Sequence, residues 1–245
     1  MIQVVELRKI FGDVLAVDGM TFSAQRGEIF GLLGPNGAGK TTSLRMIYGL
    51  LRPTSGSLTV AGMNVDEQPL DVRKRMGVLP DGGGLYTRLT ARENIAYFGA
   101  LHGMSKIAVD RSIDDFVDLL NMQDIIDRKT GGFSQGERMK VSLVRALVHD
   151  PDYILLDEPT NGLDVATTRA VRRLLLRMKD AGKCILFSSH LMHEVAQLCD
   201  RVAIVVRGKV AAQGSVKSVQ HQAGVNTMED AFIHFAYGEE HASDV

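Results

Sequence analysis

At 245 residues with 45% hydrophobic content, the chain is long enough for one large domain with a subdomain and apolar enough for an ordinary buried core. A net charge of −1 excludes the basic excess that nucleic acid asks for, and Arg73-Lys74-Arg75 and Arg172-Arg173 read as solvated helix faces. Cys184 and Cys199 make no CxxC pair, MIQVVELRK is no signal peptide, and no window approaches the ~18 apolar residues of a membrane span, so a cytoplasmic chain is expected, with any membrane role supplied by a partner.

The opening is β-rich: strands are predicted over Gln3–Leu7, Met20–Ser23 and the apolar run Glu28–Leu33. Directly after that run come Gly34, Pro35, Asn36, Gly37, Ala38, Gly39, Lys40, Thr41 and Thr42, which fill every fixed position of the P-loop pattern G-x-x-x-x-G-K-[ST]. The glycines let successive N–H groups point at phosphate oxygens, and a helix starting near Lys40 adds the positive end of its dipole. Lys40 is placed to reach the β- and γ-phosphates, and the Thr41 hydroxyl to ligate Mg2+. A strand on one side and a helix on the other is the setting this motif requires, so the chain is read as binding a nucleoside triphosphate.

Further strands are expected at Ser57–Val60 and Met76–Leu79, the second ending in Pro80-Asp81-Gly82-Gly83-Gly84, a loop too glycine-rich to be rigid. From about Thr90 to Asp150 the texture is helical. Ile113, Phe116, Val117 and Leu120 form a stripe at helical spacing with Asp114, Asp115 and Asp118 opposite, which reads as core packing. Residues 90–150 are expected to form a helical subdomain inserted into an α/β core. Strand–helix alternation then resumes: Tyr153–Leu156, a helix N-capped by Asp164 and ended by Gly182, Cys184–Ser188, a helix over Leu191–Leu198, and a hairpin of Arg201–Val206 with Val210–Ala212. Such alternation implies a mostly parallel sheet with helices on both faces. The stretch from about Ser215 is short, mixed and without a pattern.

Two further features narrow the chemistry. The strand through Leu156 ends in Asp157-Glu158; at the C-terminal edge of a parallel sheet, Asp157 would hold Mg2+ and Glu158 would face the γ-phosphate, where a water attacks. Ser134-Gln135-Gly136-Glu137 matches the capping box S-x-x-E, so a plain helix start suffices to explain it, although such a terminus is also an anion site once a phosphate is brought to it.

Taken together and in order, GPNGAGKTT, FSQGE, ILLDEP, Asn161-Gly162-Leu163-Asp164 and His190 resemble the ATP-binding cassette (ABC) ATPases over residues 2–212, nearly the whole chain. The resemblance implies a P-loop NTPase core with an antiparallel β subdomain (1–89 and 151–214), the helical subdomain (90–150) and a short tail (215–245). It also implies a head-to-tail pair of cassettes, a homodimer by expectation, with two ATP molecules in the interface. Ser134 and Gly136 would then contact the γ-phosphate across that interface, His190 would hold the phosphate, Asp164 would link the sites, and Phe11 would stack on adenine. In the family a glutamine follows the strand at Met76–Leu79; here Asp81 stands there, and it is expected to keep the Mg2+ role at some cost in coupling. Gln135 replaces a glycine of the usual signature, while Ser134 and Gly136 are kept. His190 and His193 form an HxxH, a weak zinc signal beside the ABC pattern.

The stretch Leu79–Met104 is similar to the NatA type, associated with sodium export, and Tyr86, Leu89, Tyr97 and Phe98 are expected either as contacts for a membrane subunit or as packing. The implied activity is ATP hydrolysis driving a separate integral membrane permease, with the chain peripheral on the inner face of the cell membrane. Drug or polysaccharide export, import, and a soluble cassette ATPase such as one in iron–sulfur assembly are the rivals. A small-molecule kinase leaves FSQGE and His190 unexplained.

Overall fold

In the computed structural model, which describes residues 1–82 and 84–238, the strands are β1 (Ile2–Phe11), β2 (Val14–Ala24), β3 (Glu28–Leu33), β4 (Ser55–Val60), β5 (Met63–Asn64), β6 (Met76–Leu79), β7 (Tyr153–Asp157), β8 (Cys184–Ser189), β9 (Arg201–Val206) and β10 (Lys209–Ser215). The helices are α1 (Lys40–Ile47), α2 (Pro69–Lys74), α3 (Ala91–Leu101), α4 (Lys106–Leu120), α5 (Gln135–Leu147), α6 (Val165–Asp180), α7 (Met192–Leu198), α8 (Val216–Ala223) and α9 (Met228–Tyr237). Gly83, the middle of the triple glycine, lies outside the described residues.

The strands form two sheets. One is antiparallel, in the order β2-β1-β4-β5; the other has six strands in the order β10-β9-β3-β8-β7-β6, parallel except for the β10 edge. Each central strand is buried on both faces and reads as an unbroken apolar run, as a covered parallel sheet requires. Side-chain alternation then divides each strand between two cores. Phe30, Leu32, Leu155, Leu186 and Val205 face the antiparallel sheet and α1, where Phe22 stacks on Phe30 at 5.4 Å. Ile29, Leu33, Ile154, Phe187 and Ile204 face the helices on the other side, joined by Ile95, Ile113, Val144 and Leu174.

Helix ends follow local chemistry. Ser134 and Glu137 complete a capping box at α5, and Thr90 and Glu93 do the same at α3. Asp164 caps α6, and Gly182, at φ +80°, takes the left-handed turn beyond it. The predicted strands Glu28–Leu33 and Met76–Leu79 agree with the observed bounds, whereas β1 and β2 run longer than expected and close a hairpin at Phe11 and Val14. Both cysteines are buried and unpaired, and burial pushes the Cys184 thiol up to about 12.

The segment after Ser215 differs from expectation. Rather than a patternless tail, residues 216–237 fold into α8 and α9, and Val219, Met228, Ala231 and Phe232 join the core beside α7 and β9. Their apolar stripes are too short for periodicity to stand out from the sequence. Phe232 is only 4% exposed, so Phe232→Ala is expected to lower the unfolding free energy by about 3 kcal/mol in a urea titration. A loss below about 1 kcal/mol would mean that α9 is not part of the cooperative unit.

Candidate functional site

Parallel register brings the sequence-distant motifs to one sheet edge. Leu33 of β3 pairs with Ser189 of β8, Asp157 of β7 with Ser188, and Leu79 of β6 with Leu156. The segments that follow therefore emerge side by side: Gly34 to Thr42 after β3, Glu158 after β7, His190 after β8 and Asp81 after β6. In an open parallel sheet this C-terminal edge is where ligands bind.

The P-loop lies at the mouth of that edge. A cavity of about 170 Å³ is lined by Ala16, every residue from Pro35 to Thr42, Asp81 and Glu158. Gly39 has φ +100°, and a Cβ there would meet the Ala16 carbonyl oxygen at 2.6 Å, so the loop's fold depends on glycine at this position. Gly34 begins the loop, its N–H donating to the Ser189 carbonyl. Lys40, 6% exposed, donates from Nζ to the carbonyls of Gly34 at 2.7 Å and Pro35 at 3.2 Å. Its Nζ is also 3.5 Å from Glu158 Oε1.

Glu158 is the meeting point. Its Oε2 accepts from His190 Nδ1 at 2.8 Å, which makes Nδ1 the protonated nitrogen and leaves Nε2 free for another partner. Its backbone takes φ +51°, the left-handed region that a non-glycine residue rarely adopts and that clusters at functional sites. The Glu158 N–H donates to both the carbonyl and the hydroxyl of Ser188, and Ser188 Oγ donates to Asp157 Oδ1. Ser188 thus holds the Asp157 carboxylate and the Glu158 backbone at once. Sequence reasoning missed it, and its signal was slight: a Ser-Ser pair ending an apolar strand before His190.

Oxygen donors suited to a hard divalent cation converge here. Thr41 and Asp81 line the P-loop cavity, and Asp81, Asp157 and Glu158 line the adjoining one of about 300 Å³. Among the described residues no group of three His, Cys, Asp or Glu side chains is arranged to hold a metal. The hydroxyl and carboxylate oxygens of Thr41, Asp81 and Asp157 are of the kind that Mg2+ takes, one or two at a time beside phosphate and water. Of the HxxH pair, His190 is engaged by Glu158 through Nδ1, and Glu194, beside His193, is buried and accepts from the Thr160 hydroxyl.

The remaining predicted residues lie apart. Ser134 and Gly136 line neither the P-loop cavity nor the one beside it, although Gln135 lines the latter. Asp164 caps α6 through Thr167, whose N–H and hydroxyl hydrogen bonds hold its carboxyl below the usual range. Phe11 is 45% exposed at the β1–β2 hairpin, with Lys9 Nζ 5.0 Å from its ring centre. Tyr86, Tyr97 and Phe98 form an edge-to-face chain, Tyr86 and Tyr97 exposed and Phe98 half-buried; Leu89 is half-buried too.

The same arrangement of motifs is found in known proteins. Residues 17–161 match the family model described as ABC transporter. The chain is 46% identical over 207 residues to the ABC transporter ATP-binding protein NatA of Bacillus subtilis, covering 84% of each. It is 38% identical over 224 residues to Nod factor export ATP-binding protein I of Burkholderia lata, covering 91% of this chain and 74% of that one. A solved ATP-binding subunit of an ABC transporter superposes with a TM-score of 0.90 at 26% identity, over 96% of this chain and 99% of the other. A matched family model and a P-loop facing an Asp-Glu strand end lead to one conclusion: the chain belongs to the ABC transporter family, as one of its ATP-binding, ATP-hydrolysing subunits.

Proposed function

We propose that this cassette powers an exporter, working as a homodimer on a separate integral membrane permease. The observation that carries the catalytic part is the Glu158 carboxylate held between Lys40 and His190 at the mouth of the P-loop. Loop N–H groups and Lys40 take the phosphate oxygens. Glu158 accepts the proton of the water that attacks the γ-phosphorus, the bond from that phosphorus to its bridging oxygen breaks, and ADP carries the charge away. His190 orients Glu158 through Nδ1 and turns Nε2 to the phosphate. Thr41, Asp157 and Asp81 would hold Mg2+, which neutralises charge on the phosphates when bound.

The second cassette supplies what this site lacks. A cavity of about 170 Å³ suits phosphates rather than a whole nucleotide, which calls for roughly 300 Å³ or more. Ser134 and Gly136, at the N-terminus of α5, would close the partner's site, Asp164 would join the two sites, and Phe11 would stack on adenine. Mg2+, the head-to-tail pairing and these roles belong to this reading.

No helix among the described residues is long and apolar enough to cross a membrane. Attachment to the inner face of the membrane therefore goes through the permease. A cleft of about 400 Å³ between Tyr48, Leu50, Arg73, Phe98 and Arg145, beside the exposed Tyr86–Tyr97 pair, supports that attachment. Export is supported by the relative whose name carries it, and Na+ is the cargo proposed first, ahead of a drug or polysaccharide.

Purification from native membranes in mild detergent is expected to bring down a stoichiometric multi-span protein, whose own sequence identifies the cargo path. A clean homodimer without such a partner, even with hydrolysis blocked and ATP bound, would replace the transporter reading with a soluble cassette ATPase.

A further inference from the structure

Gln135 is where this chain leaves the usual signature, and its side chain is not idle. The carboxamide Nε2 donates to the Asn161 carbonyl at 2.9 Å, reaching from the first residue of α5 to the loop that follows Glu158. The amide packs against Gly162. A Cβ on Gly162 would come within 2.5 Å of Gln135 Nε2 and 3.0 Å of Oε1, and Gly162 itself has φ +70°. Gly162 is therefore glycine for two reasons, its backbone and the amide packed against it.

The loop so held leads directly to the catalytic carboxylate. Asn161 N–H donates to the Glu158 carbonyl at 3.2 Å, closing the turn in which Glu158 keeps its left-handed φ of +51°. On the other side Thr160 donates to the buried Glu194 of α7, the helix that follows His190. The turn is thus anchored to α7 through Thr160 and to α5 through Gln135. A residue kept at unfavourable φ depends on its neighbours to stay there, so a shift of α5 is felt at Glu158.

We propose that Gln135 is a positioning residue that ties the placement of Glu158 to the seating of the α5 N-terminus. This inference rests on the dimer reading, in which that terminus meets the partner's γ-phosphate. ATP held by one protomer's P-loop pulls the other's α5 into place, and the Gln135–Asn161 bond carries that placement to the second protomer's general base. A glycine at position 135 has no side chain with which to do this.

The test uses the full chain and steady-state ATP hydrolysis over a range of ATP concentrations, with nucleotide affinity measured separately by calorimetry. Gln135 is exposed, so its variants fold. Gln135→Ala and Gln135→Gly are expected to lower kcat about tenfold and bring the Hill coefficient toward 1, with the affinity of the P-loop for ATP unchanged. Gln135→Glu, the same shape without the donor, should fail to rescue. Gly162→Ala should cost several-fold more activity in the wild-type background than beside Gln135→Gly, where no amide is displaced. A Gln135→Ala enzyme with kcat and Hill coefficient within twofold of wild type overturns the proposal, as does rescue by Gln135→Glu or strict additivity with Gly162→Ala. The dimer ATPase reading is judged separately by Glu158→Gln: if that variant is inactive and Gln135→Ala is normal, only the role of Gln135 falls.

Discussion

Glu158→Gln is expected to reduce ATP turnover about a hundredfold or more while leaving ATP bound. A positioned general base contributes roughly 10²–10⁴ in rate, and an amide cannot accept the water's proton. Binding should persist, because Glu158 is 13% exposed beside Lys40 and brings negative charge toward the triphosphate; removing that charge relieves repulsion. The two effects separate in one experiment: single-turnover hydrolysis and size-exclusion chromatography with ATP and Mg2+. A closed ATP-bound dimer that does not turn over is the expected result. Hydrolysis at the wild-type rate would show that Glu158 is not the base, and attention would pass to His190, its 2.8 Å partner.

Lys40→Ala should have the opposite profile, with binding lost before chemistry. A hydrogen bond to a charged group contributes about 1.5–3 kcal/mol, so nucleotide affinity is expected to fall roughly 10- to 150-fold. The fold should survive. Lys40 occupies the first turn of α1, and its Nζ contacts are loop carbonyls and Glu158, which keeps His190 as a partner. Arginine is a poor replacement, because its wide planar fork does not fit where a compact ammonium sits between the Gly34 and Pro35 carbonyls. Calorimetric titration with ATP checks the prediction, and an affinity within twofold of wild type would remove Lys40 from phosphate binding.

The residues behind these two predictions were legible for different reasons. The P-loop is contiguous: nine neighbouring residues carry the whole motif, so their order alone reveals it. The strand ending in Asp157-Glu158 is also local, an apolar run that stops at two carboxylates. Helix boundaries with short-range signals were equally readable, as at Asp164 and Gly182 around α6 or Ser134 and Glu137 at α5. The α8–α9 segment was not, because short amphipathic helices declare themselves only by what they cover, here α7 and β9. The role of Gln135 was hidden as well. Its sequence position marked only the replacement of a signature glycine, whereas its amide packs against Gly162, 27 positions away.

Contiguous chemistry is written in the chain because covalent geometry keeps neighbours together in any fold. Fold class, nucleotide cradle and the order of motifs all follow from it. That Lys40, Glu158 and His190 touch is another kind of fact, since they come from three separate segments. They meet because β3, β8 and β7 lie adjacent and parallel, in a register where Leu33 faces Ser189 and Asp157 faces Ser188. That register is held by two cores packed on opposite faces of the sheet. A slip of one residue would exchange the side chains facing each core and separate these three side chains, and burial on both faces is what forbids it.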